Sequence, residues 1–118
     1  MTMETRDAQI LRKILNYCDE IDAAVTLFGN SLESISTNHI YKNAVAMCIL
    51  QIGELSAKLT DKFKCKYTGL PWRDIKGMRN LLAHGYGTLD IEELWHTVMH
   101  DIPELRIYCE AVMKENER

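Results

Sequence analysis

No apolar run in this sequence is longer than Ala44–Leu50, far short of the roughly 20 residues that span a bilayer. The chain opens on a polar stretch, Met1–Gln9, without a basic-then-apolar leader, so a cytoplasmic protein with no membrane partner is expected. Its four cysteines, Cys18, Cys48, Cys65 and Cys109, are scattered without paired spacing. That speaks against a disulfide framework and a structural zinc site, and for free or buried thiols in a reducing compartment. No phosphate-binding glycine loop, dinucleotide fingerprint, nucleophile elbow or HExxH pattern occurs. No cofactor is therefore expected. Alternating apolar and polar residues, the mark of a half-buried strand, are absent, as are internal repeats and any linker long enough to divide domains.

What is present is helical periodicity in a chain of 118 residues with 47% hydrophobic content, enough for one folded domain spanning residues 1–118. Ile10, Ile14, Cys18, Ile21, Val25 and Phe28 recur in steps of three and four, with Asp7 placed to cap the helix and Gly29-Asn30 to end it. Residues 31–38 hold cap and turn formers that suit one short turn. A second long helix is expected from about Asn38 to Phe63, with Ile40, Ala44, Cys48, Ile52, Leu55 and Leu59 on one side. Val45, Met47 and Ile49 make its first half apolar almost all round, which implies neighbours on several sides. A short third helix begins after Pro71 and runs from Trp72 to about Leu82. The fourth is capped by Asp90 and carries Ile91, Leu94, Val98, Ile102, Leu105, Cys109 and Val112 on one side. Pro103 removes one of its hydrogen bonds and is expected to bend it near Met99. The fold class is all-α: an up-and-down bundle of three long helices and one short one.

The net charge of −3 is unevenly spread. Residues 58–79 contain seven lysines and arginines against Asp61 and Asp74, a net of +5 that leaves −8 for the rest. This basic segment, with Arg73 and Lys76 near its end, runs into Met78-Arg79-Asn80-Leu81-Leu82-Ala83-His84-Gly85-Tyr86-Gly87. A local positive field beside such a stretch suits a phosphate-bearing ligand, although lysines near a helix C-terminus also occur for purely structural reasons. Arginine grips phosphate oxygens with a planar fork, and histidine moves protons near neutral pH. Asn80 can orient the imidazole, and Tyr86 offers a phenol. On an ideal helix Arg79 and His84 stand about 140° apart, so they can meet only if the chain leaves the helix, which Gly85 and Gly87 permit, or if a second copy supplies the partner. Such a set can cleave RNA without a metal: a base takes the ribose 2′-proton, the 2′-oxygen attacks phosphorus, and arginine stabilises the growing charge. Glu54, in Ile52-Gly53-Glu54-Leu55, can either face this site and orient a cation or stand in solvent. His96 and His100, four apart, form a possible metal half-site lacking a fixed third ligand, and ordinary surface histidines are the simpler reading.

From Arg79 through Tyr86 the chain resembles the HEPN superfamily, and within it the HepT-like toxins, whose signature is arginine, four residues, histidine, one residue, tyrosine. The similarity extends to Pro71–Met78, Leu94-Trp95, Ile102-Pro103-Glu104-Leu105 and Ile52-Gly53-Glu54. The resemblance implies a homodimeric, metal-independent endoribonuclease with its motif near a cleft between subunits. It further implies the toxin half of a toxin–antitoxin pair, silenced by an MntA-like nucleotidyltransferase that transfers AMP to Tyr86. On that basis Arg79, Asn80 and His84 are the catalytic candidates, Tyr86 the modified residue, Glu54 a supporting group, and Arg73 and Lys76 an approach surface for RNA. The alternative is a non-catalytic helical module that docks a nucleotidyltransferase, and a metal-dependent phosphohydrolase built on His96 and His100 is a third.

Overall fold

A computed structural model describes residues 3–69, 72, 75–77, 79 and 90–117. Helix α1 spans Thr5–Phe28, α2 Leu32–Thr37, α3 His39–Ala57 and α4 Asp61–Lys66. Near the C-terminus α5, Ile91–His96, passes through a π-helical segment, Thr97–Asp101, into α6, Ile102–Glu115. Trp72, Ile75–Gly77 and Arg79 are also helical, within the span where the short third helix is expected. No strand occurs among the described residues, and none of their helices is long and apolar enough to cross a membrane. The protein is all-α, and the long helices among the described residues are α1, α3 and the continuous α5–α6 run.

Helix α1 packs against α3 and α6, and the short α2 closes on α3 and α5. Leu11, Ile14, Cys18 and Ile21 of α1 meet Val45, Ile49 and Ile52 of α3 and Leu94, Ile102, Leu105 and Cys109 of α5–α6 in one buried core. For α1 the apolar spacing marks this face well. For α3 the expected stripe is displaced by one position: Tyr41, Val45, Ala46, Ile49, Ile52 and Gly53 are buried, while Ile40 and Met47 are 71% and 55% exposed. With apolar residues on several sides, α3 has no single stripe for periodicity to select. The neighbours choose the buried face, and they leave Ile40, Ala44 and Met47 uncovered.

Asp7 is not the cap of α1. The helix begins one turn earlier, after Glu4, and Asp7 is buried at 2% exposure. Its carboxylate accepts from the Thr60 backbone N–H at 2.9 Å and from the Thr60 hydroxyl at 2.7 Å. This pairing also explains why the second long helix ends at Ala57 rather than Phe63. Lys58 N and Leu59 N turn back to Leu55 and Ser56 carbonyls, which tightens the last turn. Thr60 N is held by Asp7, and the Thr60 hydroxyl accepts from Phe63 N at 3.1 Å, capping a new helix, α4. Two partly buried hydrogen bonds to a carboxylate thus turn what reads as one helix into two.

The remaining termini follow their sequence signals. Gly29 ends α1 with φ +122° and ψ +139°, positive in φ though outside the left-handed helical region. Its carbonyl accepts from the buried Tyr41 hydroxyl at 3.0 Å, tying the α1–α2 turn to α3. Asn38 Oδ1 accepts from Ile40 N and Tyr41 N, and Asp90 Oδ1 from Glu92 N and Glu93 N. At Pro103 the irregularity expected around Met99 takes the form of the π-helical segment. Ile102 N donates to Thr97 O, five residues back, and the backbone keeps helical angles from His96 to Ile102. One widened turn accommodates the missing N–H without ending the helix.

Candidate functional site

The last turns of α3 bring two kinds of residue side by side. Gly53, Ser56 and Ala57, at helical steps of three and four, form a floor of small side chains, and Glu54 stands at its edge. Arg79 lies across this floor. Its Nε donates to Glu54 Oε1 at 2.8 Å, with the two side chains 31% and 45% exposed. The approach is close because position 53 has no side chain: a Cβ there would stand 2.5 Å from the Arg79 Cβ and 3.0 Å from its Cγ. Gly53 is therefore what lets the arginine-bearing segment settle against α3. The Ile52-Gly53-Glu54 sequence raises Glu54 as a candidate but assigns no role to Gly53, because a glycine signals close approach only when the opposing residue is known.

Beside the ion pair lies a cavity of about 470 Å³ lined by Gly53, Ser56, Ala57, Lys64, Trp72, Lys76 and Arg79. Lys64 comes from the last turn of α4 and donates to the Ala57 carbonyl at 3.2 Å. Trp72 is held by its indole N–H, which donates to the Tyr67 carbonyl at 3.0 Å, and by near-perpendicular ring contact with Tyr108 at 5.7 Å. Among the described residues three cations and no carboxylate line the cavity, with Glu54 at its rim paired to Arg79. Three cations of the net positive segment thus meet at one place in the fold, while Lys62 and Lys66 border a different pocket and Lys58 a third. Neither Lys64 nor Trp72 stands out in the sequence, because each depends on the break at Thr60 that separates α4 from α3.

Of the residues singled out from sequence, Arg79, Glu54 and Lys76 come together around this cavity. Asn80, His84, Tyr86 and Arg73 lie outside the described residues. The His96 and His100 rings lie with centroids 4.5 Å apart, tilted by 33°, across the junction of α5 and the π segment. Among the described residues no group of three or more histidines, cysteines or carboxylates is placed to hold a metal ion.

The sequence matches the family model described as ribonuclease HepT-like over residues 14–112, which takes in most of the core and all the described lining of the cavity. It is 32% identical over 117 residues to a Methanocaldococcus jannaschii protein assigned as an RNase, covering 98% of this chain and 94% of that one. A Caldanaerobacter subterraneus protein assigned as an RNase is 28% identical over 107 residues, with 91% and 94% covered. A Thermococcus cleftensis protein assigned as a ribonuclease HepT is 38% identical over 71 residues, with 60% and 64% covered. No solved structure matches the chain at a significant level. The family match across most of the core, together with near full-length relatives, makes this chain a member of the HepT-like ribonuclease family.

Proposed function

We propose that this protein is an RNA endonuclease that uses Arg79 and His84 to cleave without a metal ion, and that it acts as the toxin of a toxin–antitoxin pair. The observation that carries the reading is the Arg79–Glu54 pair at the rim of a cationic cavity, in a chain of the HepT-like family. Glu54 engages Nε, an arrangement that would fix the guanidinium with its terminal nitrogens available to phosphate oxygens.

In this mechanism His84 takes the ribose 2′-proton, the 2′-oxygen bonds to phosphorus, and the bond from phosphorus to the 5′-oxygen breaks. The leaving oxygen gains a proton, and the products are a 2′,3′-cyclic phosphate and a 5′-hydroxyl. Arg79 stabilises charge on the phosphoryl oxygens, and Asn80 positions the imidazole. Tyr86 contacts substrate and is the acceptor when an MntA-like nucleotidyltransferase transfers AMP and silences the enzyme. The exposed apolar strip of Ile40, Ala44 and Met47 on α3 supports assembly with a second copy.

The decisive experiment is RNA cleavage by purified protein in EDTA, with product ends identified by mass spectrometry. The wild type is expected to leave cyclic phosphate ends, and His84→Ala and Arg79→Ala to lose at least a hundredfold in rate. Equal cleavage by wild type and His84→Ala would place the chemistry elsewhere. Coexpression with the nucleotidyltransferase should add AMP to the peptide containing Tyr86, and Tyr86→Phe should escape it.

A further inference from the structure

We propose that the cavity beside Arg79 is a nucleotide subsite, in which Lys64 and Lys76 hold the phosphate next to the scissile one and Trp72 is the wall on which a base rests. The proposal builds on the ribonuclease reading above and specifies the substrate as single-stranded RNA engaged over more than one nucleotide.

Three features select a nucleotide over a bare anion. The first is volume: about 470 Å³ lies within the 300–1,000 Å³ range of small-molecule sites and is far larger than a phosphate needs. The floor is flat because Gly53, Ser56 and Ala57 occupy one face of α3, so depth is created by missing side chains. The second is charge. Among the described lining residues the charged groups are Lys64, Lys76 and Arg79, and the carboxylate at the rim, Glu54, is engaged by Arg79 Nε, so a phosphate meets a net positive surface. Lys64 is set by the Asp7–Thr60 hydrogen bonds that start α4, and its ammonium is anchored on the Ala57 carbonyl. The third is the rigid aromatic wall. The Trp72 indole N–H is already engaged with Tyr67, and its ring contacts Phe63 and Tyr108, so it offers a fixed surface whose polar group is satisfied. Fixed aromatics beside cations are the recurrent way of holding unpaired bases without sequence preference.

The test uses a Trp95→Phe protein, in which Trp72 is the sole tryptophan. A 2′-O-methyl tetranucleotide, which lacks the attacking hydroxyl, is titrated against its fluorescence, with inorganic phosphate as the control probe. Saturable change with the oligonucleotide and none with phosphate at equal concentration is expected. Lys64→Gln with Lys76→Gln should weaken binding about tenfold at 0.1 M salt and lower the slope of log affinity against log salt by about 0.7 for each phosphate no longer neutralised. In cleavage the same double variant should raise KM more than it lowers kcat. An unresponsive Trp72, an equal response to phosphate alone, or a double variant with unaltered affinity, salt slope and KM would overturn the subsite. If Arg79→Ala abolishes cleavage while those lysine variants change nothing, the subsite alone fails. If Arg79→Ala cuts like wild type, the reading of the reaction centre fails with it.

Discussion

The Cα of Gly53 and the side chain of Arg79 are so close together that one added methyl group at position 53 would sit 2.5 Å from the Arg79 Cβ. Real carbon atoms do not approach so closely, and the clash falls at the root of the arginine side chain, where no rotamer change relieves it. The segment bearing Arg79 would have to move. Alanine also has a helix propensity about 1 kcal/mol better than glycine, so α3 itself would not suffer. Gly53→Ala should therefore keep its helical circular dichroism and lose roughly tenfold or more in RNA cleavage. Wild-type kcat/KM in this variant would show that the close approach has no bearing on function.

Glu54 acts on Arg79 through a single hydrogen bond from Nε. Both side chains are substantially exposed, so the pair contributes little to stability, at most about 1 kcal/mol. Glu54→Ala should leave the melting temperature nearly unchanged while lowering kcat about tenfold, the equivalent of about 1.4 kcal/mol in the transition state. Glu54→Gln retains an acceptor for Nε and should recover part of that loss. A purely structural role would move stability and not the difference between alanine and glutamine in turnover.

Asp7 behaves in the opposite way, because it is buried and its hydrogen bonds serve the chain reversal at Thr60 rather than the cationic cavity directly. Replacing it by alanine strands the Thr60 N–H and hydroxyl, at a cost of about 2–4 kcal/mol. Asp7→Asn keeps one acceptor and should lose less. Urea unfolding measures both, and equal midpoints for wild type and Asp7→Ala would refute the account of the α3–α4 break.

The thiols give a pH prediction. Burial pushes Cys18 and Cys109 up from 9.0 to about 12, and burial with the neighbouring Glu20 carboxylate pushes Cys48 up to about 11. A raised folded-state value means that the protonated thiol is favoured by folding. That contribution is complete below pH 9, where unfolded thiols are also protonated, and it is lost as pH rises through the folded values. Stability should fall progressively between pH 9 and 12, and less steeply in Cys109→Ala than in wild type. At neutral pH Cys65, which is exposed, should react first with a disulfide reagent, and Cys18 and Cys109 only on unfolding.

Much of this protein is written locally. The stripe from Ile10 to Ile21, the glycine after Phe28, and the caps at Asn38 and Asp90 each depend on residues within a turn or two, and the helices form where those signals stand. The family signature and the positive stretch before it are likewise matters of spacing and composition, legible without coordinates. Local signals could not choose the buried face of α3, because its apolar residues point in several directions and only the arrival of α1 and α2 removes some of them from water. They could not foresee the break at Thr60, because the carboxylate that causes it is 53 residues away. Nor could they pair Arg79 with Glu54 or assign Gly53 its purpose, since an ion pair 25 residues apart and a missing side chain acquire meaning only when two segments are pressed together. Sequence singled out the residues to which the proposed chemistry on RNA is assigned. Packing decided that Arg79, Glu54, Lys64, Lys76 and Trp72 gather around one cavity, because burial of the core fixes where the helices cross, and the crossing fixes which side chains meet.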